Sequence, residues 1–355
     1  MTNTEKILSD KKISWEAFKS ATILVTGATG LIGKNLIKIL VLASEELKLN
    51  IRILAQVRNR EKAEKCFNEE IKRNCNIDFL VSDICDLKYC EGTMNYIVHC
   101  ASITDSYSFA NRPLEVIKTN VNGTFNTLEI ARNCKCKHFV YLSTMEVYGC
   151  PTDDGLIGED YTGGFDTLTT RNSYPLSKLT CENICVGYMK EHDVPVTILR
   201  LTQTFGPGVE YDDKRVFAEF ARCAIEKKDI VLHTKGETKR SYLYTVDAIK
   251  AILLSLVNDN SLGKKYNVAN EQSYCSIYEM AQMVAEDIAE GKIKVVIDEG
   301  DTNNRGYAPT LCMNLDTSLI RKELGWKWET SLVDMYRNMI EDMKDNRKNR
   351  VSKEA

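Results

Sequence analysis

The amino-acid sequence predicts an α/β fold, with a doubly wound parallel sheet followed by a smaller, discontinuous C-terminal α/β lobe. Short apolar runs rich in β-branched residues alternate with helical patterns over residues 1–200, as expected for a parallel sheet. A glycine-rich turn joins the first such run to the first helical pattern. Beyond Phe205-Gly206-Pro207-Gly208 the pattern changes to helices with short strands. We therefore expect a second lobe over residues 201–340 and a charged tail over 341–355.

The glycine-rich turn reads Thr26-Gly27-Ala28-Thr29-Gly30-Leu31-Ile32-Gly33. It follows Thr22-Ile23-Leu24-Val25, which is typical of a buried strand, and precedes apolar residues at helical spacing. Glycines let the backbone approach a phosphate, and a helix N-terminus offers free N–H groups and the positive end of its dipole. This order predicts a Rossmann-type dinucleotide-binding domain over residues 1–200. The cofactor-binding residues expected here are Gly27, Thr29, Gly30, Leu31, Ile32 and Gly33.

Length and composition narrow the class of protein. A chain of 355 residues suits one large domain or two fused domains, and 43% hydrophobic with 27% charged residues is typical of a globular enzyme. The net charge of -3 argues against nucleic-acid binding, which needs a basic surface. The first residues lack the apolar core of a signal peptide, and no apolar run approaches a membrane span in length. We expect a cytoplasmic protein with neither a nucleic-acid nor a membrane partner.

The 13 cysteines are scattered, and Cys134-Lys135-Cys136 is the only close pair. Paired C-x-x-C segments and matching histidine spacings, which would indicate zinc, do not occur in the sequence. In a reducing cytosol, cysteines serve mostly as small buried hydrophobic residues. We therefore expect no metal site.

The second predicted strand, Ile51-Arg52-Ile53-Leu54-Ala55-Gln56-Val57, ends at Arg58-Asn59-Arg60. NAD-binding folds usually place an acidic residue near this end, where it bonds the ribose 2′-hydroxyl. Here Arg58, with Arg60 as a second candidate, favours the 2′-phosphate of NADP. A solvated charge run that opens a helix is an equally compatible interpretation. The expected cofactor is NADP or NAD, with NADP favoured.

Further strand ends supply candidate cofactor contacts. Asp83 follows the third strand and is placed either to bond an adenine amino group or to cap the next turn. The fourth strand ends in small residues, as a passing cofactor requires, and we expect its His99 to pack within the strand. The contacts expected from these segments, from the long helical stretch that follows, from the fifth strand and from the helix after it are Asp83, Ile84, Cys100, Ala101, Ser102, Asn120, Ser143, Tyr174 and Lys178.

Tyr174 and Lys178 are four residues apart on a predicted helix and therefore share one face. A lysine ammonium and a nicotinamide's positive charge beside a phenol lower the phenol's pKa. We expect Tyr174 to be the base that takes a proton from a hydroxyl as hydride leaves its carbon. Thr144 and Glu146 follow the fifth strand, at the sheet edge where ligands bind. Thr144 is expected to bond the reacting hydroxyl, and Glu146 is either a second base or a solvated strand-end residue.

Together these segments resemble the extended short-chain dehydrogenase/reductases of the nucleotide-sugar epimerase/dehydratase family. The shared segments are TGATGLIG (26–33), SDI (82–84), LSTMEVYG (142–149), YPLSK (174–178), RLTQTFGPG (200–208), KRSYLYTVDAIKAI (239–252), YNVA (266–269) and LGW (324–326). They span roughly residues 20–340 in the family's order. The resemblance implies a reused nicotinamide cofactor: C4 of a nucleotide-activated sugar is oxidised, the keto intermediate rearranges, and the hydride returns.

The resemblance also implies the substrate contacts. Three arginines fall where relatives hold the nucleotide diphosphate, a task that suits the guanidinium fork. Gln203 departs from the asparagine that the family usually has near the diphosphate. The substrate-binding residues implied in this way are Thr104, Thr144, Met145, Gln203, Arg215, Arg240 and Arg305.

The triplet Thr144-Met145-Glu146 helps to sort the reaction within the family. Simple 4-epimerases tend to have a small residue or threonine at the position of Glu146. The 4,6-dehydratases tend to read Thr-Asp-Glu, and the UDP-glucuronate decarboxylases read Thr-Ser-Glu. Glu146 therefore favours chemistry that reaches C5, while Met145 stands where a dehydratase has its acid.

We expect an epimerase or dehydratase that acts on a nucleotide sugar through a 4-keto intermediate. The alternatives are a UDP-uronic acid decarboxylase, a net NADPH-consuming reductase and a cofactor-binding scaffold without turnover. The resemblance also implies a homodimer that pairs through helices at about 112–133 and 173–192.

Overall fold

The computed structural model describes residues 3–73, 75–88, 92–299 and 310–354, with residues 3, 4 and 348–354 described by their backbone alone. Its strands are β1 (Thr22–Thr26), β2 (Arg52–Val57), β3 (Ile77–Val81), β4 (Tyr96–His99), β5 (His138–Thr144), β6 (Leu156–Ile157), β7 (Val196–Leu201), β8 (Gln203–Phe205), β9 (Ile230–Leu232), β10 (Lys239–Tyr244), β11 (Lys265–Val268), β12 (Asn270–Ser276), β13 (Val295–Ile297) and β14 (Cys312–Leu315). Its helices are α1 (Asn3–Leu8), α2 (Leu31–Glu46), α3 (Arg60–Cys66), α4 (Asn68–Lys72), α5 (Ser106–Asn111), α6 (Pro113–Cys134), α7 (Ser173–His192), α8 (Val216–Glu226), α9 (Thr245–Leu256), α10 (Ile277–Met283), α11 (Ser318–Leu324) and α12 (Leu332–Glu354).

Seven parallel strands form the main sheet in the order β11-β7-β5-β4-β1-β2-β3. Six of them are the strands expected from the apolar runs, which confirms the doubly wound α/β fold. The seventh, β11, comes from beyond residue 200 and pairs with β7 at the sheet edge. The strand order reverses between β1 and β4, and ligands bind at the carboxyl ends of strands beside such a reversal.

Helices cover both faces of this sheet, as its apolar strands require. One face buries α2 and α9 together with the N-terminal segment, whose Ile7, Ile13, Trp15 and Phe18 all lie in that core. The other face buries α6 and α7. Helices therefore pack on both faces of the main sheet, and the ends of its strands are left uncovered by these helices, where a site can form.

The second lobe joins a sheet of order β12-β10-β14-β6, to which β8 adds by pairing with β10, and the two-stranded sheet β13-β9. A separate apolar core lies beneath it and includes Phe205, Phe217, Tyr242 and Tyr336. The charged tail expected at residues 341–355 is helical in α12 through Glu354. The tail is anchored rather than frayed because Met343 is buried and Asp342 accepts a hydrogen bond from the backbone N–H of Gly208 at 2.8 Å.

The described residues contain neither a candidate membrane-spanning helix nor a candidate metal-binding group. Their helices include no segment that is both long and apolar enough to cross a bilayer. Over the same residues, no group of three or more His, Cys, Asp or Glu side chains is arranged to hold a metal ion.

Candidate active site

The glycine-rich turn between β1 and α2 brings the backbone to places that a side chain would fill. Gly27 has a φ of +61°, and a Cβ there would lie 2.8 Å from the Cα of Ala101. A Cβ on Gly33 would lie 2.6 Å from the carbonyl oxygen of Gly27, so α2 begins directly against the turn. The first N–H groups of a helix lack an acceptor within it, and here they belong to Leu31, Ile32 and Gly33. This geometry fits the pyrophosphate of a dinucleotide.

Two polar side chains tie the turn to the neighbouring strands. The side-chain oxygen of Gln56, on β2, accepts from the Gly27 N–H at 3.0 Å, and its amide donates to the Ser82 carbonyl at 2.7 Å. The Thr26 hydroxyl accepts from the N–H groups of Cys100 and Ala101 at 3.1 and 3.2 Å. The sequence analysis missed Gln56, although an amide inside an apolar strand is a signal that could have marked it.

A cleft of about 280 Å³ opens at the ends of β1, β2, β3 and β4. The residues in its lining that the sequence predicted are Gly27, Thr29, Gly30, Arg58, Asp83, Ile84, Cys100, Ala101 and Ser102. Those that it missed are Gln56, Val57, Asn59, Lys62, Ile103 and Thr119. Because four strand ends and the glycine turn meet at this cleft, the lining fits a dinucleotide.

Arg58 is exposed and lines this cleft at the end of β2. Arg60 instead pairs with Glu64 at 3.2 Å and lies over the ring of Phe79, so its charge is engaged on α3 and the adjacent strand. Asp83 accepts from a backbone N–H two residues on at 2.9 Å, which caps the next turn while its carboxylate stays in the lining. Of the two arginines, only Arg58 remains a candidate for the ribose.

His99 packs within β4, as the sequence predicted. It is 1% exposed, and its Nδ1 shares a hydrogen bond of 3.0 Å with the Thr26 hydroxyl. Burial lowers the pKa of His99 to about 3, with the Lys178 charge a smaller cause in the same direction. The ring is therefore neutral at physiological pH and supports the turn rather than the chemistry.

Asn120 and Ser143, both predicted to contact the cofactor, use their side chains inside the protein. Asn120 accepts from the Ser102 hydroxyl at 2.7 Å and donates to the Ser177 hydroxyl at 2.8 Å. The Ser143 hydroxyl donates to the Glu182 carboxylate at 2.5 Å. These bonds join the ends of β4 and β5 to α6 and α7.

Tyr174 lies at the start of α7 with its hydroxyl beside the end of β5. Its buried ring stacks on Phe109, with 4.3 Å between centroids and 9° between planes. The side chains of Thr144 and Ser102 near this hydroxyl favour the phenolate. Burial and the Glu146 charge raise the pKa of Tyr174 above its ordinary value, and these two side chains only partly oppose this.

The expectation that Lys178 lowers the pKa of Tyr174 is wrong for this structure. The Lys178 Nζ lies 6.0 Å from the centre of the Tyr174 ring and donates to the carbonyl of Leu142 at 2.8 Å. Its ammonium therefore contacts the backbone of β5 rather than the phenol. Burial also lowers the pKa of Lys178 itself, although nearby thiols and Glu182 oppose that shift.

The predicted triplet forms the start of a short helical turn, Met145–Tyr148, which follows β5. Thr144 caps this turn by accepting from the Glu146 N–H at 3.3 Å, so both side chains are held at the same strand end. Met145 is 5% exposed and packs in a core beneath the turn, with its sulfur 3.1 Å from the Thr202 hydroxyl. The predicted substrate contact by Met145 is therefore not available to its side chain.

A buried ion pair that the sequence analysis missed supports this turn from behind. Arg200, on β7, bonds both oxygens of Glu182 at 2.9 and 2.6 Å, and the pair is less than a tenth exposed. The same guanidinium donates to the Tyr148 hydroxyl at 3.0 Å and to the Glu159 carbonyl at 2.9 Å. The end of β5, the turn after it and the following loop are thus bonded to one arginine.

A second arginine, also missed, meets Glu146 directly. The Arg171 Nη1 lies 2.9 Å from the Glu146 Oε2, and the two side chains are 32% and 25% exposed. The structure therefore brings Thr144, Glu146, Tyr174 and Lys178 together at the end of β5 and adds Arg171 to them. Burial by itself would lower the pKa of Arg171. The charge and the hydrogen bond of Glu146, with smaller contributions from neighbouring groups, together outweigh burial and raise that pKa.

The predicted substrate contacts are less uniform. Among the described residues, the Oε1 of Gln203 and the Nε of Arg240 are buried without a hydrogen-bond partner. Arg215 is bound to Asp213 at 2.6 Å, so its guanidinium is already engaged. Thr104 is exposed in the segment before α5. Arg305 lies outside the described residues.

Comparison with known proteins supports this fold and identifies a family. The model of the NAD dependent epimerase/dehydratase family matches residues 23–269, which is more than half of the chain. The chain belongs to that family.

Two curated relatives and one solved structure illustrate the similarity. UDP-glucuronic acid decarboxylase 1 of Xenopus tropicalis is 28% identical over 305 residues, which are 86% of this chain and 68% of the relative. UDP-N-acetyl-alpha-D-glucosaminuronate decarboxylase of Bacillus cytotoxicus is 30% identical over 263 residues, which are 73% of this chain and 78% of the relative. Epimerase Mth375 of Methanothermobacter thermautotrophicus superposes with a TM-score of 0.81 at 20% identity, over 96% of this chain and 97% of that one, which shows the same fold.

Proposed function

We propose that this protein modifies a nucleotide-activated sugar by oxidising its C4 hydroxyl to a ketone, moving a proton at C5 and returning the hydride. The observation that carries the proposal is the cluster of Thr144, Glu146, Tyr174 and Lys178 at the end of β5, beside the cleft that fits a dinucleotide. This is epimerase or dehydratase chemistry, and the family match supports it.

Each residue has a role that follows from its position. Tyr174 takes the proton from the C4 hydroxyl, and Thr144, at the end of β5 near the same phenol, orients that hydroxyl. A bound nicotinamide cofactor would supply the hydride acceptor and a positive charge that favours the phenolate. The buried Lys178 fixes the strand end by donating to the Leu142 carbonyl.

Glu146 serves the second half of the reaction. Once C4 is a ketone, the C5–H bond is acidified: the proton passes to the carboxylate and the electron pair enters the enolate. We expect Glu146→Gln still to reduce bound cofactor on addition of substrate but to release little product, because a positioned acid–base group contributes about 10²–10⁴-fold. Wild-type enzyme in deuterated water should place deuterium at C5. Normal product formation by the variant, with no deuterium uptake by wild type, would instead identify a simple 4-epimerase.

The reaction type is tested by mass spectrometry after incubation with a panel of nucleotide sugars that includes UDP-glucose and UDP-glucuronic acid. Loss of water indicates a dehydratase, loss of carbon dioxide a decarboxylase, and unchanged mass an epimerase. A cofactor-recycling enzyme leaves the reduced-nicotinamide absorbance unchanged at the end, whereas a net reductase consumes it. Absence of turnover on the whole panel would contradict the proposal.

Decarboxylation of a UDP-activated uronic acid is the second candidate, and two observations favour it. The two curated relatives above carry that activity in their names. In addition, Glu146 stands at the position where the Thr-Ser-Glu triplet of the UDP-glucuronate decarboxylases has its glutamate. Oxidation at C4 would make such a substrate a β-keto acid, which loses carbon dioxide and takes up a proton at C5.

The cofactor is proposed to be NADP(H). Arg58 is exposed in the cleft lining at the end of β2, where an NAD-specific fold usually has an acidic residue. Chromatography of the cofactor released by denaturation checks this, and recovery of NAD(H) alone would refute it.

A homodimer is proposed from the outer face of α6 and α7. Leu114, Ile117 and Phe125 form a helical stripe on α6 and are 79%, 40% and 44% exposed, and Val186 on α7 is 51% exposed. Two such helix pairs would bury these side chains against each other. Light scattering at micromolar concentration should report a dimer, and a monomer would refute the proposal. The cytoplasmic location stays a prediction from the sequence.

A further inference from the structure

The loop over residues 149–172 joins the two catalytic segments of the chain. It begins after the turn that carries Glu146, and Arg171 lies near its end. Arg171 donates to the Glu146 Oε2 at 2.9 Å, although the two residues are 25 positions apart in the sequence. The loop therefore returns to its own starting point just before α7. Because this contact uses Oε2, Oε1 is left as the carboxylate oxygen that can take a proton.

Arg171 is itself held in place by an aromatic side chain. Its guanidinium carbon lies 5.7 Å from the centre of the Phe109 ring, and Phe109 stacks on Tyr174. A cation over a ring face is attracted by the ring quadrupole. One aromatic side chain thus orients both Tyr174 and the arginine that holds Glu146.

The backbone of the loop packs closely against the end of the Met145–Tyr148 turn. A Cβ on Gly163 would lie 1.9 Å from the Tyr148 carbonyl oxygen, so this position accepts only glycine without movement. Gly149 has a φ of +74°, and a Cβ there would lie 2.8 Å from the Gly164 carbonyl oxygen. The middle of the loop therefore lies directly on the segment that carries Glu146.

The last part of the loop is a bonded turn. The Asp166 carboxylate accepts from the Leu168 N–H at 2.9 Å and from the Thr169 hydroxyl at 2.7 Å. The Asn172 amide donates to the Asp166 carbonyl at 2.9 Å. These bonds form on both sides of Arg171 and fix the direction from which it approaches Glu146.

We infer that Arg171 is the positioning residue for Glu146, and that the loop over 149–172 is built to present it; this rests on the proposed function of Glu146 at C5. The arginine acts through the carboxylate: it holds Oε2 so that the other oxygen meets the C5 proton. Oxidation at C4 belongs to Tyr174, and Arg171 affects that step only through a charge that lowers the pKa of the phenol.

The experiment compares Arg171→Met, Arg171→Lys and Glu146→Gln in deuterated water with UDP-glucose and UDP-glucuronic acid as probes. Reduction of bound nicotinamide reports the C4 step, and deuterium at C5 reports the Glu146 step. We expect Arg171→Met to lower deuterium uptake about 10²-fold, the loss that a displacement near 1 Å produces. KM should stay as in wild type, and nicotinamide reduction should fall far less than deuterium uptake, because Arg171 affects the phenol only through its charge. Arg171→Lys should restore most of the uptake.

Matched controls make the result specific. Arg112→Met removes an arginine that also lies near α5 but pairs with Glu115, and it should leave both steps unchanged. The double variant Arg171→Met/Glu146→Gln should be no worse than Glu146→Gln, because the two residues act as one unit. Unchanged deuterium uptake in Arg171→Met, or a raised KM with unchanged kcat, would overturn the inference, the latter by showing that Arg171 binds substrate.

A crystal structure of Arg171→Met gives a readout that does not depend on turnover. The Glu146 carboxylate should leave its wild-type position, and Gly163→Ala should displace both the loop and the ion pair. If Glu146 stays in place in Arg171→Met, the inference is wrong even when the enzyme is active. If wild type acts on no sugar of the panel while Glu146 moves, the proposed function fails and the positioning role stands.

Discussion

The two halves of the proposed site, one for the cofactor and one for the substrate, differ in how their polar groups are bonded. In the cofactor half, at the ends of β1 to β4, Gln56, Thr26 and Asn120 each bond at least two partners. In the substrate half, at β8 and β10, Gln203 Oε1 and Arg240 Nε are buried and unpaired within the part of the chain that is described. Each such atom costs about 1–3 kcal/mol. This difference fits the proposed roles. The polar groups around the cofactor are hydrogen-bonded within the protein, whereas the unpaired atoms of Gln203 and Arg240 would form their hydrogen bonds with a substrate.

The largest effect is expected where the two halves meet, at Tyr174. Tyr174→Phe removes the base but keeps the ring that stacks on Phe109. Turnover should fall about 10²–10⁴-fold while cofactor affinity and Tm stay near wild type. Product assays, cofactor titration and thermal melts measure the three quantities, and turnover above about a tenth of wild type would remove Tyr174 from the role of base.

The next effect distinguishes Arg240, whose Nε is unpaired among the described residues, from Arg215, which is paired with Asp213. Arg240→Met should raise KM about ten- to a hundredfold, the equivalent of a charged hydrogen bond of about 1.5–3 kcal/mol. It should not lower the free energy of unfolding, because the Nε of Arg240 is buried without a partner among the described residues. Arg215→Met is the matched control: it breaks the Asp213 pair and should lower stability by about 0.2–1 kcal/mol. Equal losses of stability in both variants would contradict the distinction.

Acid should weaken the cofactor half through its buried histidine. Burial lowers the pKa of His99 to about 3, so below its ordinary value of about 6.5 only the unfolded chain takes up the proton. Stability therefore falls as pH drops from about 6.5 toward 3, by about 2 kcal/mol at pH 5.

Urea unfolding at neutral and acid pH tests this prediction. His99→Gln should remove about one proton from the pH dependence, and His138→Gln should act similarly, because burial lowers the pKa of His138 to about 4. If the pH dependence of His99→Gln matches that of wild type, His99 is not the acid-sensitive group.

The smallest effect concerns the cofactor's ribose. Arg58 is exposed, so its attraction to a 2′-phosphate is screened by solvent and is worth about 1 kcal/mol. Arg58→Gln should weaken NADP(H) about fivefold and leave NAD(H) affinity unchanged. Arg60→Gln is the control, since Arg60 pairs with Glu64 outside the cleft lining. A change that is equal for both cofactors would show that Arg58 does not read the 2′ position.

The sequence by itself determined the main sheet, the glycine turn and the four side chains that meet at the end of β5, namely Thr144, Glu146, Tyr174 and Lys178. These features are local: apolar strands alternate with helical periods, Gly27 needs a positive φ, and Tyr174 and Lys178 lie one helical turn apart. Residues of this kind carry their signal within a few positions. For the same reason His99 was placed correctly in its strand.

Only the tertiary structure decided which groups meet across the chain. Glu146 and Arg171 lie 25 residues apart, and Glu182 and Arg200 lie on a helix and a strand that pack behind them. It also placed the Lys178 ammonium on the Leu142 carbonyl rather than on the phenol. Burial of Tyr174 raises the pKa of that phenol, and the side chain of Met145 is buried in an apolar core. Such contacts depend on the path of a loop and the packing of a helix on a sheet. The physical reason is that desolvation and ion pairing are set by neighbours in space, and no periodicity along the chain encodes them.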